Sequence, residues 1–217
     1  MQTESEIFNS VYNDLKKRYP ALLSVRDDLF TAFKCLSNSF TKGGSLYICG
    51  NGGSAADGEH IIGELMQPYK KDRPIPKEFS DALFAAYPQD AEYFRKHLKG
   101  ALPCYCLSSF TGFCTAYIND HSADMVYAQE IYGYGKPGDV LLGITSSGSS
   151  KNVVNALKVA DTAGIDTIML TSEKAINVPV ARCIIIRVPG TECCPVQELH
   201  LPVYHALCEM LELNLFR

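Results

Sequence analysis

Short, almost wholly apolar runs alternate along this chain with segments of helical spacing, and that alternation is the tightest constraint on its fold. Residues 45–49, 103–108, 140–144, 167–171 and 183–188 read as strands. A strand that is apolar at consecutive positions is buried on both faces, as in a parallel sheet covered by helices on each side. Helices are predicted over 4–18, 20–41, 55–67, 125–132, 152–163 and 196–216, with a short one leading to Asn119-Asp120. Residues 75–100 read as two short helices, the second starting near Pro88. Lys42-Gly43-Gly44 ends the second helix in the usual way. The expectation is an α/β fold with no repeat or linker. Residues 1–217 would form a single domain: N-terminal helices over 1–42, an α/β core over 43–217, and a helical insertion at about 75–101.

The junction after the 140–144 strand is rich in hydroxyls. Thr145-Ser146-Ser147-Gly148-Ser149-Ser150 lies between a strand's end and a helix's start. Free N–H groups and the positive end of the helix dipole meet there, which suits a phosphate dianion. Thr145, Ser146, Ser147 and Ser150 can donate as well. An ordinary helix cap needs one serine, not a cluster. No Walker lysine and no dinucleotide fingerprint occupy this turn, so a small phosphorylated ligand is implied.

A second strand-to-helix turn, Gly50-Asn51-Gly52-Gly53-Ser54, lets backbone approach a ligand closely, although a plain tight turn reads the same way. In a doubly wound sheet both turns fall at the carboxyl edge, where ligands sit. His60 and Glu64 follow at a spacing of four, on one helix face. Gln197 and His205, eight apart, share a face of the last helix, with Glu198 and His200 nearby. Glu64 and two histidines, with Gln197 as an oxygen donor, can share a divalent cation, and such donors suit zinc. A surface His–Glu helix pair is the plainer alternative. Asn119-Asp120 would cap a helix or bind sugar hydroxyls.

A net charge of −4 argues against binding a nucleic-acid backbone. The nine cysteines lack zinc-ribbon spacing. Cys35, Cys49, Cys183 and Cys208 lie in apolar helical or strand patterns, which suits reduced thiols. Residues 1–6 are polar and no apolar run reaches membrane-spanning length. A cytoplasmic protein is expected, with no membrane and no nucleic-acid partner.

Taken together, these residues resemble the sugar isomerase (SIS) domain, and within it the phosphoheptose isomerases. The resemblance rests on Cys49-Gly50-Asn51-Gly52-Gly53-Ser54, Asp57-x-x-His60-x-x-x-Glu64-Leu65, Asn119-Asp120, Gly138–Ile144, the Ser-Gly-Ser loop, Ile186-Arg187-Val188-Pro189 and Gln197-Glu198-x-His200-x-x-x-x-His205. It runs from about residue 40 to the C-terminus. It implies a five-stranded parallel core flanked by helices, and a homotetramer whose active sites are lined by more than one subunit. The apolar stripes of the N-terminal helices would then lie between subunits. Carried over, Asn51, Gly52, Gly53, Ser54, Asn119 and Asp120 would contact the sugar, and Thr145, Ser146, Ser147 and Ser150 its phosphate. His60, Glu64, Gln197 and His205 would hold zinc or a similar ion, with Gln197 also near substrate and Glu64 and His205 as acid/base pair. The implied reaction interconverts sedoheptulose 7-phosphate and a manno-heptose 7-phosphate through an enediol.

Three features depart from the family pattern. The 75–101 segment is long, Pro68 stands where a basic residue is common, and Cys193-Cys194 replaces an acidic residue expected just before Gln197-Glu198. The alternatives are another phosphosugar isomerase, or a non-catalytic SIS protein that senses phosphosugars or binds a replication initiator. The absence of a helix-turn-helix pattern weighs against a regulator, and the presence of His60, Glu64, Gln197 and His205 favours catalysis.

Overall fold

The structure, a computed structural model, describes residues 2–216. Met1 and Arg217, the two ends of the expected 1–217 unit, lie outside the described residues. Thr3 opens the first helix, α1 (Glu4–Arg18), with a reciprocal capping box to Glu6. The expected single helix over 20–41 is broken. Pro20–Val25 forms a 3₁₀ segment in which Leu22 leaves helical geometry, and α2 (Arg26–Thr41) follows. Pro20 at the first position of that segment restarts the chain in a tighter turn.

The core then alternates: β1 (Leu46–Gly50), α3 (Gly53–Met66), α4 (Lys77–Ala86), α5 (Ala91–His97), β2 (Cys104–Cys106), α6 (Thr111–Asp120), α7 (Val126–Tyr134), β3 (Val140–Ile144), α8 (Lys151–Thr162), β4 (Asp166–Ser172), β5 (Ile184–Val188) and α9 (Cys193–Leu215). The second insertion helix begins at Ala91, because Tyr87–Asp90 closes a turn with Asp90 N–H donating to the Tyr87 carbonyl. The last helix begins at Cys193, one turn before the expected 196. Pro195 is tolerated there because first-turn N–H groups have no partner inside a helix.

All five strands are parallel, in the order β2-β1-β3-β4-β5. Side chains alternate between two apolar layers. Leu46, Ile48, Val140, Leu142, Ile168 and Leu170 face one layer, with α1, α2, α3 and α9. Tyr47, Cys49, Leu141 and Met169 face the other, with α7 and α8. The N-terminal stripes belong to the first layer: Ile7, Phe8, Leu15, Leu29 and Phe33 are buried within the chain itself. The expectation that these stripes lie between subunits is thereby corrected, since α9 and β5 already cover them. All nine cysteines are free; Cys49 and Cys208 are buried, Cys35 and Cys183 half-buried. Among the described residues, no helix is long and apolar enough to cross a membrane.

The strand order places the site. Successive connections leave β1 toward β2 on one side and reach β3 on the other. The carboxyl ends of β1 and β3 therefore flank a crevice at the switch point of the sheet.

Candidate active site

Both glycine-containing turns open onto that crevice. Asn51, after β1, and Asn152, in the first turn of α8, exchange two side-chain hydrogen bonds of 2.9 Å. Tyr127 of α7 braces the same turn, its hydroxyl donating to the Gly50 carbonyl at 2.7 Å and lying 3.3 Å from Asn51 Oδ1. Ser54 is buried in the first turn of α3. Gly53 lies close under α9: a Cβ there would come 2.6 Å from Gln197 Nε2 and would push that amide aside. Gln197 of α9 thus rests its amide on the start of α3.

The hydroxyl loop is built differently from a simple cap. Ser150 occupies the N-cap of α8, yet its side chain makes no capping bond. It lies 3.0 Å from Thr145 Oγ1, which is 3.3 Å from Ser147 Oγ. Ser147 in turn accepts from Ser149 N–H at 3.2 Å. Gly148, at φ +67°, supplies the left-handed residue that folds the hydroxyls together. Ser146 Oγ sits 3.4 Å from Cys193 Sγ, so the start of α9 borders this loop. A compact ring of hydroxyls at the start of a twelve-residue helix fits an anion.

The donor cluster lies deeper along α3 and α9. The contacts Gly53–Gln197 and His60–His205 show that these helices run side by side in the same direction. His60 Nε2 is 3.1 Å from Glu64 Oε1 and 3.4 Å from His205 Nε2. One ligand atom from each residue lies within 4.8 Å of the others. Two imidazoles and a carboxylate at that separation fit a divalent cation of the zinc type. Burial, with His60 next in effect, holds His205 below its ordinary value against the pull of Glu64, which keeps its ring available as a neutral donor. Gln197 lies eight residues, about 12 Å of helix rise, before His205.

Asn119 and Asp120 are the last residues of α6, exposed, with Asn119 donating to Asp120 at 2.8 Å. They cap no helix. Ser122 caps the short 3₁₀ turn that follows, because its side chain accepts from Asp124 N–H. Pro68 lies just past α3, and the chain beyond it turns back to α9 through Tyr69 and Lys70 N–H bonds to Glu212. The acidic charge at the start of α9 is Glu192, at its N-cap.

Four contributors received no role from the sequence, although Asp57 stands in one of its motifs. Asn152 was legible only as the first residue of the predicted 152–163 helix. Asp57, three before His60, shares its face, and Tyr204 sits beside His205, yet neither spacing says that they meet. Arg73, in a polar stretch, gives no signal at all.

This fold and this site define a SIS-domain protein, and residues 104–172 match the SIS domain family. The chain is 33% identical over 202 residues to a phosphoheptose isomerase of Maridesulfovibrio salexigens, covering 89% of this chain and 86% of that relative. It is 28% identical over 212 residues to the phosphoheptose isomerase of Akkermansia muciniphila, covering 98% of each. The structure of a phosphoheptose isomerase from Francisella tularensis shares its fold, with a TM-score of 0.73 at 22% identity over 98% of this chain and 100% of that one. The chain belongs to the phosphoheptose isomerase family. It is an enzyme, an intramolecular oxidoreductase that isomerises a phosphosugar.

Proposed function

We propose that this enzyme interconverts a ketose and an aldose heptose phosphate, sedoheptulose 7-phosphate and a manno-heptose 7-phosphate, through an enediol. The observation that carries this reading is the meeting of His60, Glu64 and His205 within 4.8 Å, on helices that begin at the same sheet edge as the hydroxyl loop. Thr145, Ser146, Ser147 and Ser150 would hold the phosphate at the start of α8. Asn51, Gly52, Gly53, Ser54, Asn119 and Asp120 would meet the sugar hydroxyls, with Gln197 beside them.

Isomerisation moves one proton between adjacent carbons and one between their oxygens. Glu64, with a side chain one-fifth exposed, is reachable and is the base for the carbon-bound proton. The C–H pair becomes the enediol double bond as the carbonyl oxygen takes up a proton. His205 serves the oxygens. Glu64 then returns its proton to the neighbouring carbon. His60, Glu64, His205 and Gln197 would hold zinc or a similar ion, which when bound would polarise the sugar carbonyl.

We further propose a cytoplasmic homotetramer in which residues 1–217 form one domain and neighbouring subunits contribute to each site. Exposed Phe79, Phe84, Tyr87 and Tyr93 on the 75–101 insertion offer apolar surface for such contacts. The deciding experiment incubates the protein with a panel of ketose phosphates and follows aldose formation. Turnover of the seven-carbon substrate alone supports the reading, and turnover only of shorter sugars replaces it with another phosphosugar isomerase.

A further inference from the structure

Behind the donor cluster, Asp57 and Tyr204 form a polar chain to His60 that the isomerase reading does not use. Tyr204 is 2% exposed, and its hydroxyl meets two partners. It lies 3.2 Å from Asp57 Oδ1 and 3.0 Å from His60 Nδ1. The second carboxylate oxygen, Asp57 Oδ2, is buried and has no hydrogen-bond partner. Tyr204 is therefore the donor on which this carboxylate depends, because an ionised carboxylate only accepts.

The hydroxyl has a single proton. When it goes to Asp57, the phenol oxygen is left to accept from the other side, where among the described residues the donor is His60 Nδ1–H. A neutral imidazole protonated on Nδ1 has its lone pair on Nε2. His60 Nε2 is the atom facing Glu64 at 3.1 Å and His205 at 3.4 Å. The orientation of one buried hydroxyl thus bears on which ring nitrogen carries the proton, set against Glu64, whose carboxylate would accept from an Nε2–H.

We propose that Tyr204 is a positioning residue that relays the Asp57 carboxylate to His60 and fixes its ring as the Nδ1–H tautomer, so that Nε2 presents a lone pair to the cation site. The relay acts through His60 and touches neither substrate nor metal. The Tyr204 and His60 rings pack edge-on, with centroids 5.6 Å apart at 74°. As a statement about metal affinity the inference rests on the divalent-ion reading above. As a statement about the tautomer it is read on the metal-free protein, where the Tyr204–Asp57 relay at Nδ1 is set against the Glu64 carboxylate at Nε2.

The test uses full-length protein labelled with ¹⁵N in its histidines, stripped of metal, and read by long-range ¹H–¹⁵N correlation. Wild-type His60 is expected to show Nδ1 as the protonated nitrogen, and Tyr204→Phe to shift it toward the Nε2–H form. Competition against a chromogenic chelator should show zinc held 10- to 100-fold more weakly by Tyr204→Phe, the usual effect of losing an outer partner of a metal-ligating histidine. A loss of packing alone would leave the tautomer where it was. If Tyr204→Phe fails to fold, Asp57→Asn serves instead, since an amide that donates to the phenol oxygen reverses the relay. The proposal is overturned by wild-type His60 in the Nε2–H form, or by a variant with unchanged spectrum and unchanged zinc affinity. Wild-type protein that takes up no zinc removes the metal reading, while the tautomer spectrum still decides the relay.

Discussion

Arg73 and Glu212 form an ion pair of 2.6 Å in which both side chains are fully buried. The other guanidinium nitrogens of Arg73 donate to the carbonyls of Glu64 and Leu65, each at 2.8 Å. Glu212 also accepts N–H bonds from Tyr69 and Lys70 at 2.9 Å. One pair therefore locks the end of α3, which carries Glu64, to α9, which carries His205. Arg73→Met should cost about 3–5 kcal/mol in urea unfolding, because it leaves a buried carboxylate without its countercharge. Burial pushes Glu212 up, but the two N–H bonds and Arg73 outweigh it and hold its pKa below the ordinary 4.5. Its contribution is present above pH 4.5 and is lost as pH falls through the lower folded value.

Phosphate binding should depend on the hydroxyl ring. Ser147→Ala combined with Ser150→Ala removes two donors to a dianion, and bonds to a charged group are each worth about 1.5–3 kcal/mol. Calorimetry with a non-reacting sugar phosphate should show affinity falling by at least tenfold while thermal stability changes little. Unchanged affinity would place the phosphate elsewhere.

Glu64→Gln should abolish isomerisation yet still bind the sugar phosphate, since an amide cannot take a carbon-bound proton. Treatment with a chelator should abolish turnover of the native enzyme, and zinc should restore it. Exchange of the substrate's carbon-bound hydrogen with heavy water, followed by mass spectrometry, separates the two steps. Normal exchange by the Glu64→Gln protein would assign the base to another group.

Two buried groups give opposite pH dependences. Burial lowers His200 to about 4, against the smaller opposing pull of a hydrogen bond with the Thr171 backbone. The unfolded chain then binds the extra proton first, so stability falls as pH drops from about 6.5 toward 4, by about 2 kcal/mol at pH 5. Burial raises Glu130 to about 8, and its carboxyl oxygens are unpartnered. Its contribution is present below 4.5 and is lost as pH rises through 8. Between pH 4.5 and 6.5 the two oppose each other. Glu130→Gln should therefore uncover the His200 slope, and denaturant unfolding at pH 5 and 7 reads it directly.

Removing residues 1–40 should unfold the protein and not merely dissociate an assembly. Phe8, Leu15, Leu22, Leu29 and Phe33 are each at most 1% exposed, and they complete the layer beneath α9. Circular dichroism of the truncated chain is expected to show lost helix and no cooperative melt. A well-folded, fully active truncation would mean that the core closes without them.

The sequence by itself determined the α/β alternation, the strands at 46–50, 140–144 and 166–172 to within a residue or two, and the pairing of His60 with Glu64. Those signals are local, because side-chain period and a spacing of four are properties of a single element. The break at Pro20–Val25 was less legible, since apolar residues continue through it at helical spacing. Other relationships depended on how elements pack. Tyr204 meets Asp57 across 147 residues of chain, Arg73 meets Glu212 across 139, and Asn51 meets Asn152 across 101. Such contacts follow from the sheet order, which sets β1 beside β3 and brings α3 against α9. Only tertiary structure could decide them, because no property of a short segment encodes which distant segment will be its neighbour.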